Sequence, residues 1–353
     1  MSFYSAEPTP RTSWRQAVLM GVNSRTYKFA LGTALLDLAQ QGHDAVPLVS
    51  LAEKYSWALL TRDGGYPQAP ASLELRDTDF LTVLERERAA SLTAGKPSEE
   101  LVAAAAKSMP SMVMQKFHNL RGIGEVAHTF YEVQGSTRSR TVRLTPELHR
   151  VAAADDVLSH ELDARWTIVE ASFDAGIGRR LIASGVEIGK SGEELVAPAR
   201  RVALTSVRGA IAGFQHGRCF YCRQEFEQLD ADIHVDHVFP FSWMNTGSWR
   251  GPDLNHVWNL VLSCGPCNLA KSNRLPTSDE VELLLARNDA IAGSPHPLRR
   301  TLEITMCATD TTPETRARKR RDFVSAVWSH VTDGTLRGRV VTVTGIATLR
   351  RSS

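Results

Sequence analysis

From residue 13 to about 62, apolar residues recur three and four apart, the spacing that lines one face of an α-helix. The clearest stretch is Tyr27-Lys-Phe-Ala-Leu-Gly-Thr-Ala-Leu-Leu-Asp-Leu-Ala-Gln-Gln, with Gly42 where a helix stop is expected. A second apolar pattern runs from Val46 to Leu60, and Arg62-Asp-Gly-Gly-Tyr-Pro-Gln-Ala-Pro then predicts a loop. Helices are predicted again near 77–94 and 98–107. The period changes over 127–145: His128-Thr-Phe-Tyr-Glu-Val-Gln, Gly135-Ser-Thr and Arg138-Ser-Arg-Thr-Val-Arg-Leu predict a short β-hairpin. From Thr145 a helical pattern resumes to about 174. Pro146 sits in its first turn, and Leu158, Leu162, Trp166, Val169 and Phe173 follow at helical spacing. Further helices are predicted at about 197–216, 278–290 and 312–330, and residues 339–345 read as a terminal strand. The pattern as a whole predicts an α+β protein. A mostly helical domain would occupy 1–195, a second domain 196–335, and a tail 336–353.

Composition leaves this picture in place. The chain has 353 residues, 42% hydrophobic and 23% charged, an ordinary globular make-up with length for two cores. No apolar run approaches the roughly 18–20 residues of a membrane span. The first residues lack a basic segment followed by an apolar one, so the expectation is a cytoplasmic protein without membrane partners. The global charge of +2 says little. Residues 201–353 carry 19 Lys and Arg against 15 Asp and Glu, which permits polyanion binding without demonstrating it.

The cysteines say more. All five lie beyond residue 218, and four form the pairs Cys219-Phe-Tyr-Cys222 and Cys264-Gly-Pro-Cys267, a C-x2-C-x41-C-x2-C frame. Paired cysteines in a chain with no export signal favour a metal over disulfides. Four thiolates suit a tetrahedral structural zinc with no coordination position left for catalysis. Cys307 stands apart and reads as an ordinary small apolar residue.

Between the pairs lie Asp236-His237 after a β-compatible run, Asn259 at the start of a second such run, and Asn268 opening a short helix. Strand, loop, strand and helix with Asp-His, Asn and Asn at those places resembles the HNH nucleases, whose core is a ββα-metal finger. The segment is similar to the zinc-bearing variant, with Cys pairs flanking the finger. It is also similar to the target-strand-cutting domain of CRISPR effector nucleases, where Val-Asp-His and a later Asn-x-x-x-Lys follow in the same order. The resemblance covers about residues 214–276, under a fifth of the chain.

What the resemblance implies can be carried over residue by residue. Asp236 and Asn268 would hold a divalent cation, Mg²⁺ or Mn²⁺, since hard cations prefer oxygen donors. His237 would be the general base, and an imidazole with a pKa near 6.5 suits that work. Asn259 would bridge backbone across the loop and orient the base. Lys271, three residues past Asn268, would contact a substrate phosphate. The chain carries Asn268 where the family often has His, which shifts metal preference toward oxygen-liking ions. The substrate implied is DNA, double-stranded in the first instance, in restriction or phage defence. With one finger per chain, double-strand cleavage implies a homodimer or two successive nicks. Recombination or repair, RNA cleavage, and a zinc-stabilised nucleic-acid-binding protein without catalysis are the alternatives.

Other features read more plainly. His234 is expected to be structural, and Trp243, Trp249 and Trp258 to pack in the core or the loop rather than stack on bases. Arg250, Arg274 and the run Arg316-Ala-Arg-Lys-Arg-Arg321 are open between phosphate contact and a solvated face. Gly122-Ile-Gly-Glu is too short for a dinucleotide loop, and no catalytic motif stands out in the first 200 residues. That region would recognise DNA, sense a modified base, bind a partner or silence the finger until a signal arrives.

Overall fold

The computed structural model describes residues 8–21, 25–62, 68–69, 75–120, 124–136, 139–153, 156–173, 187–188, 194–197, 202–229, 231–246, 249, 251–306 and 312–337. The chain divides into two compact units, one of Ala6–Arg179 with Ser294–His296, the other of Arg180–Gly293 and Pro297–Ser353 with Met1–Ser5.

The first unit is built on helices α1 (Pro10–Leu19), α2 (Tyr27–Gln40), α3 (Leu48–Leu60), α4 (Phe80–Ala94), α5 (Glu99–Met112), α6 (Pro146–Ala152) and α7 (Asp156–Phe173). Four of these starts have a side-chain cap. Thr9, Asp79, Ser98 and Thr145 accept a hydrogen bond from a first-turn N–H, and Pro146 sits where no N–H is needed. Gly95 closes α4 at φ 66°, a left-handed conformation that costs glycine nothing. The expected hairpin is present as β4 (Tyr131–Gln134) and β5 (Thr141–Leu144), and β1 (Ala45–Pro47) pairs antiparallel with β5 to give the order β1-β5-β4. A two-residue pair, β2 (Asn119–Leu120) with β3 (Gly124–Glu125), stands beside it. Trp14 packs against Phe117 and Phe130 at 5.5 and 5.0 Å between ring centres, within a core that includes Phe29, Leu31, Leu35, Tyr55 and Leu59.

That core contains charge. Arg15 Nε donates to Glu161 Oε2 at 3.0 Å, Arg165 donates to Glu161 Oε1, and all three side chains are buried. Lys28 is buried with its ammonium on the carbonyls of Ala17 and Phe117, and burial lowers its pKa to about 8. Neighbouring His118 accepts the Phe130 N–H at Nε2, so the fold requires its neutral form.

The second unit starts with β6 (Glu187–Ile188), β7 (Glu194–Ala197) and β8 (Val202–Ser206), an antiparallel sheet in that order. The helix expected over 197–216 is therefore present only as α8 (Val207–Ala212), capped by Ser206, and a 3₁₀ turn after it. Val202-Ala-Leu-Thr-Ser is a short apolar run whose period does not distinguish strand from helix, and pairing with β7 decides it. Then come β9 (Ile233–His237), β10 (Leu260–Cys264), α9 (Gly265–Lys271), α10 (Ser278–Gly293), α11 (Leu298–Met306) and α12 (Pro313–Arg337). Cys307, Gly122, Arg250 and the strand expected at 339–345 lie outside the described residues. No described helix is long and apolar enough to cross a membrane.

Burial, with the nearby Lys28 charge adding to it, lowers the His118 pKa from 6.5 to about 4. The unfolded chain therefore binds more protons between these values. Stability from this group is complete above pH 6.5 and is lost as pH falls toward 4, by roughly 3 kcal/mol at most. Urea denaturation from pH 7 to 4 is expected to show that loss, with a shallower slope for His118→Gln.

Candidate functional site

The first cysteine pair lies on a tight hairpin. Arg218 pairs with Glu225, Cys219 N–H donates to Gln224 O at 2.8 Å, and Arg223 N–H donates to Cys219 O at 3.0 Å. Gly217 at φ 62° and Arg223 at φ 65° turn the chain into and out of it. The second pair sits at the end of β10, with Cys264 as the residue before α9 and Cys267 in its first turn. Phe220 N–H to Leu262 O at 2.9 Å and Cys264 N–H to Cys219 Sγ at 3.5 Å lock the hairpin to β10. All four sulfurs come within 4.8 Å of one another. Against the cost of burial, N–H groups of Cys264, Cys222 and Tyr221 directed at its sulfur hold the Cys219 thiol below its ordinary pKa. The four cysteines can hold a metal such as zinc, because four clustered sulfurs match its tetrahedral preference.

Next to this cluster, β9 and β10 pair antiparallel with Asp236 opposite Val261 and His237 opposite Leu260. The loop between them is closed by Asn259, which is fully buried. Its Nδ2 donates to Phe239 O at 2.9 Å and Leu254 O at 2.8 Å, and its Oδ1 accepts from Phe239 N–H at 2.8 Å. One carboxamide thus ties both ends of the loop. Trp258, also buried, donates to Asp253 O and packs on Phe239 and Phe323, so it is a core residue. Arg287 and Asn288 of α10 donate to the Val257 and Trp258 carbonyls and hold the turn that precedes β10.

Asp236 and His237 end β9. Asp236 Oδ2 accepts the Tyr221 hydroxyl at 2.5 Å, and Oδ1 accepts the His237 N–H at 2.8 Å. Burial, then the Asp236 charge, raises the Tyr221 pKa far above the ordinary range, so the phenol keeps its proton. Lys271 does not reach outward from α9. Its ammonium is buried, 3.4 Å from Asp236 Oδ1 and donating to His237 O, and burial lowers its pKa against the pull of Asp236. His237 Nε2 lies 3.0 Å from Asn255 Oδ1. An amide oxygen only accepts, so Nε2 carries the hydrogen and Nδ1 is left as the lone-pair nitrogen. Burial lowers the His237 pKa, opposed by the Asn255 bond and the Asp236 charge. Phe241, partly exposed, lies 5.4 Å from the imidazole centre.

Asn268 is half-buried on α9, one turn before Lys271 and on the same face, and its side chain has no polar partner among the described residues. His234 is half-buried on β9, its ring beside Gly265. Trp249 donates to Pro252 O and lies edge-on to His330, while Trp243 is half-buried. Arg274 forks onto Glu280 at 2.7 and 2.5 Å. In the basic run, Arg316, Arg320 and Arg321 face Glu303, Asp289 and Glu282, leaving less free charge than the sequence suggests. Two residues of the site were not anticipated. Asn255 gives no periodic signal, and Tyr221 reads as mere filling between two cysteines.

Comparison with known proteins finds no family model, no curated protein and no solved structure that matches this chain.

Elemental analysis of purified protein is expected to find about one zinc per chain. Cys222→Ser or Cys264→Ser should lose it and unfold the second unit, because the ion's binding energy goes directly into folding. Asp236→Ala and His237→Ala should leave zinc content unchanged.

Proposed function

We propose that the second unit is an HNH endonuclease that hydrolyses phosphodiester bonds in DNA with the help of a divalent cation. The observation that carries this reading is the Asn259 brace. It closes the loop between two antiparallel strands so that an Asp-His pair stands at its rim, with a helix bearing Asn and Lys beside it and four clustered cysteines below.

Asp236 and Asn268 supply oxygen donors of the kind Mg²⁺ and Mn²⁺ accept. An ionised carboxylate offers about four lone-pair positions. Tyr221, the His237 N–H and Lys271 address three of them, and the Asp236 side chain keeps 12% exposure, so one position is left for a cation. When bound, the cation neutralises charge that develops on the phosphate and the leaving oxygen. The rest is done by side chains. His237 Nδ1 takes a proton from the attacking water. Asn255 holds the ring in that tautomer and keeps it from rotating. Asn259 fixes the backbone on which the ring stands. Lys271 draws the His237 carbonyl and the Asp236 carboxylate together, so its positive charge lies just behind the site rather than on its surface. Double-stranded DNA in restriction or phage defence is the substrate and setting we favour.

Supercoiled plasmid, methylated and unmethylated, incubated with full-length protein in Mg²⁺, Mn²⁺ or EDTA tests the reading. Nicking or linearisation is expected with either metal and not with EDTA. His237→Ala should lower the rate by about 10²- to 10⁴-fold. Nucleic-acid binding with no cleavage under any metal, unaffected by His237→Ala, would identify a binding module instead. Asn255→Ala should slow cleavage roughly 10- to 100-fold through misplacement of the base, with the cation dependence unchanged.

A further inference from the structure

Tyr221 stands between two of the four clustered cysteines, yet its hydroxyl donates not within the cluster but to Asp236 Oδ2 at 2.5 Å. The cluster itself is organised by thiols and by the backbone N–H groups of Tyr221, Cys222 and Cys264, so the phenol is available to another site. Its direction of approach is fixed, because Phe220 N–H on Leu262 O and Cys264 N–H on Cys219 Sγ pin the hairpin to β10. The Arg274 guanidinium lies 5.9 Å from the ring centre, and Glu280 in turn holds Arg274.

The other carboxylate oxygen faces a rival cation. Lys271 Nζ is 3.4 Å from Oδ1, longer than a good charged hydrogen bond, and it spends its short contact on the His237 carbonyl. A carboxylate released from the phenol would keep only the His237 N–H on Oδ1, and could turn about that bond toward the buried ammonium to close into a tighter pair. That rotation would take the remaining lone pair away from any ion arriving from solvent.

We propose that Tyr221 is the positioning residue for the cation-holding carboxylate. Its hydroxyl keeps Asp236 turned outward against the pull of Lys271, and so makes the cysteine cluster and the divalent-cation site one connected unit. This rests on the nuclease reading of Asp236. The second effect follows from the first: whatever disorders the cysteine hairpin also withdraws the phenol from Asp236.

The test uses full-length protein with its cysteine-bound zinc, titrated with Mn²⁺ and followed by calorimetry, with zinc content and melting temperature measured on the same samples. Asp236→Ala is expected to abolish Mn²⁺ binding. Tyr221→Phe is expected to keep zinc at the wild-type level while weakening Mn²⁺ binding about 10- to 100-fold, the usual effect of removing a group that orients a metal ligand. Adding Lys271→Met to Tyr221→Phe is expected to recover most of the lost affinity, which a purely structural tyrosine would not allow. Mn²⁺ affinity in Tyr221→Phe within twofold of wild type, or absence of recovery in the double variant, overturns the proposal and leaves the nuclease reading standing. Loss of zinc in Tyr221→Phe also overturns it, since the phenol would then serve the cluster. A wild-type protein with no Asp236-dependent Mn²⁺ site overturns both.

Discussion

The second unit depends on one buried carboxamide. Asn259 has no exposure, and a side-chain amide taken from water without partners costs several kcal/mol. Here every strong bond it makes goes to the backbone of the loop it closes. The residues around it have no freedom to drift. Arg287 and Asn288 hold the preceding carbonyls, Trp258 is wedged between Phe239 and Phe323, and β10 begins at the next residue. Helices α10 and α12 therefore reach the site without contributing a group to it. They fix the turn, the turn fixes Asn259, and Asn259 fixes the stretch of backbone that presents His237.

Much of this was legible from residue spacing. The hairpin at 131–144 followed from alternation and a Gly-containing turn, and the cysteine cluster followed from two close pairs. What escaped has identifiable reasons. The sheet over 187–206 is built from strands of two, four and five residues, too short to show a period that separates strand from helix. Helix α11 is nine residues long and follows two prolines, so it offers little more than two turns of periodicity. Asn255 and Tyr221 owe their places to tertiary geometry alone. A loop residue that points back at an imidazole, and an aromatic that leans from a hairpin onto a strand end, leave no mark at any fixed spacing. Lys271 shows the converse limit. Helical spacing places it beside Asn268, but only the packing reveals that it points inward.

The first unit handles charge differently. Its Arg15–Glu161–Arg165 triad and the Lys28 ammonium sit inside a core dominated by aromatic and aliphatic packing. Ion pairs taken out of water seldom stabilise relative to apolar residues of equal size, and breaking one leaves an expensive orphan. Such groups penalise packings that fail to meet them. Glu161 links α7 to α1 through Arg15, while Arg165 on its own helix holds its other oxygen, and Lys28 links α2 to the end of α1 and the segment at Phe117. Each contact is a test that an alternative packing of the helices would fail.

The sulfur cluster has a consequence in time as well as in space. Cys222 and Cys264 lie 3.9 Å apart at their sulfurs, yet 41 residues separate the two pairs along the chain. At a ribosomal rate of about 5–20 residues per second, the second pair follows the first by roughly 2 to 8 seconds. Throughout that interval the nascent chain carries two of the four clustered thiols without their partners. The redox state of the surroundings thus acts on the first pair before Asn259 and the second pair have been made.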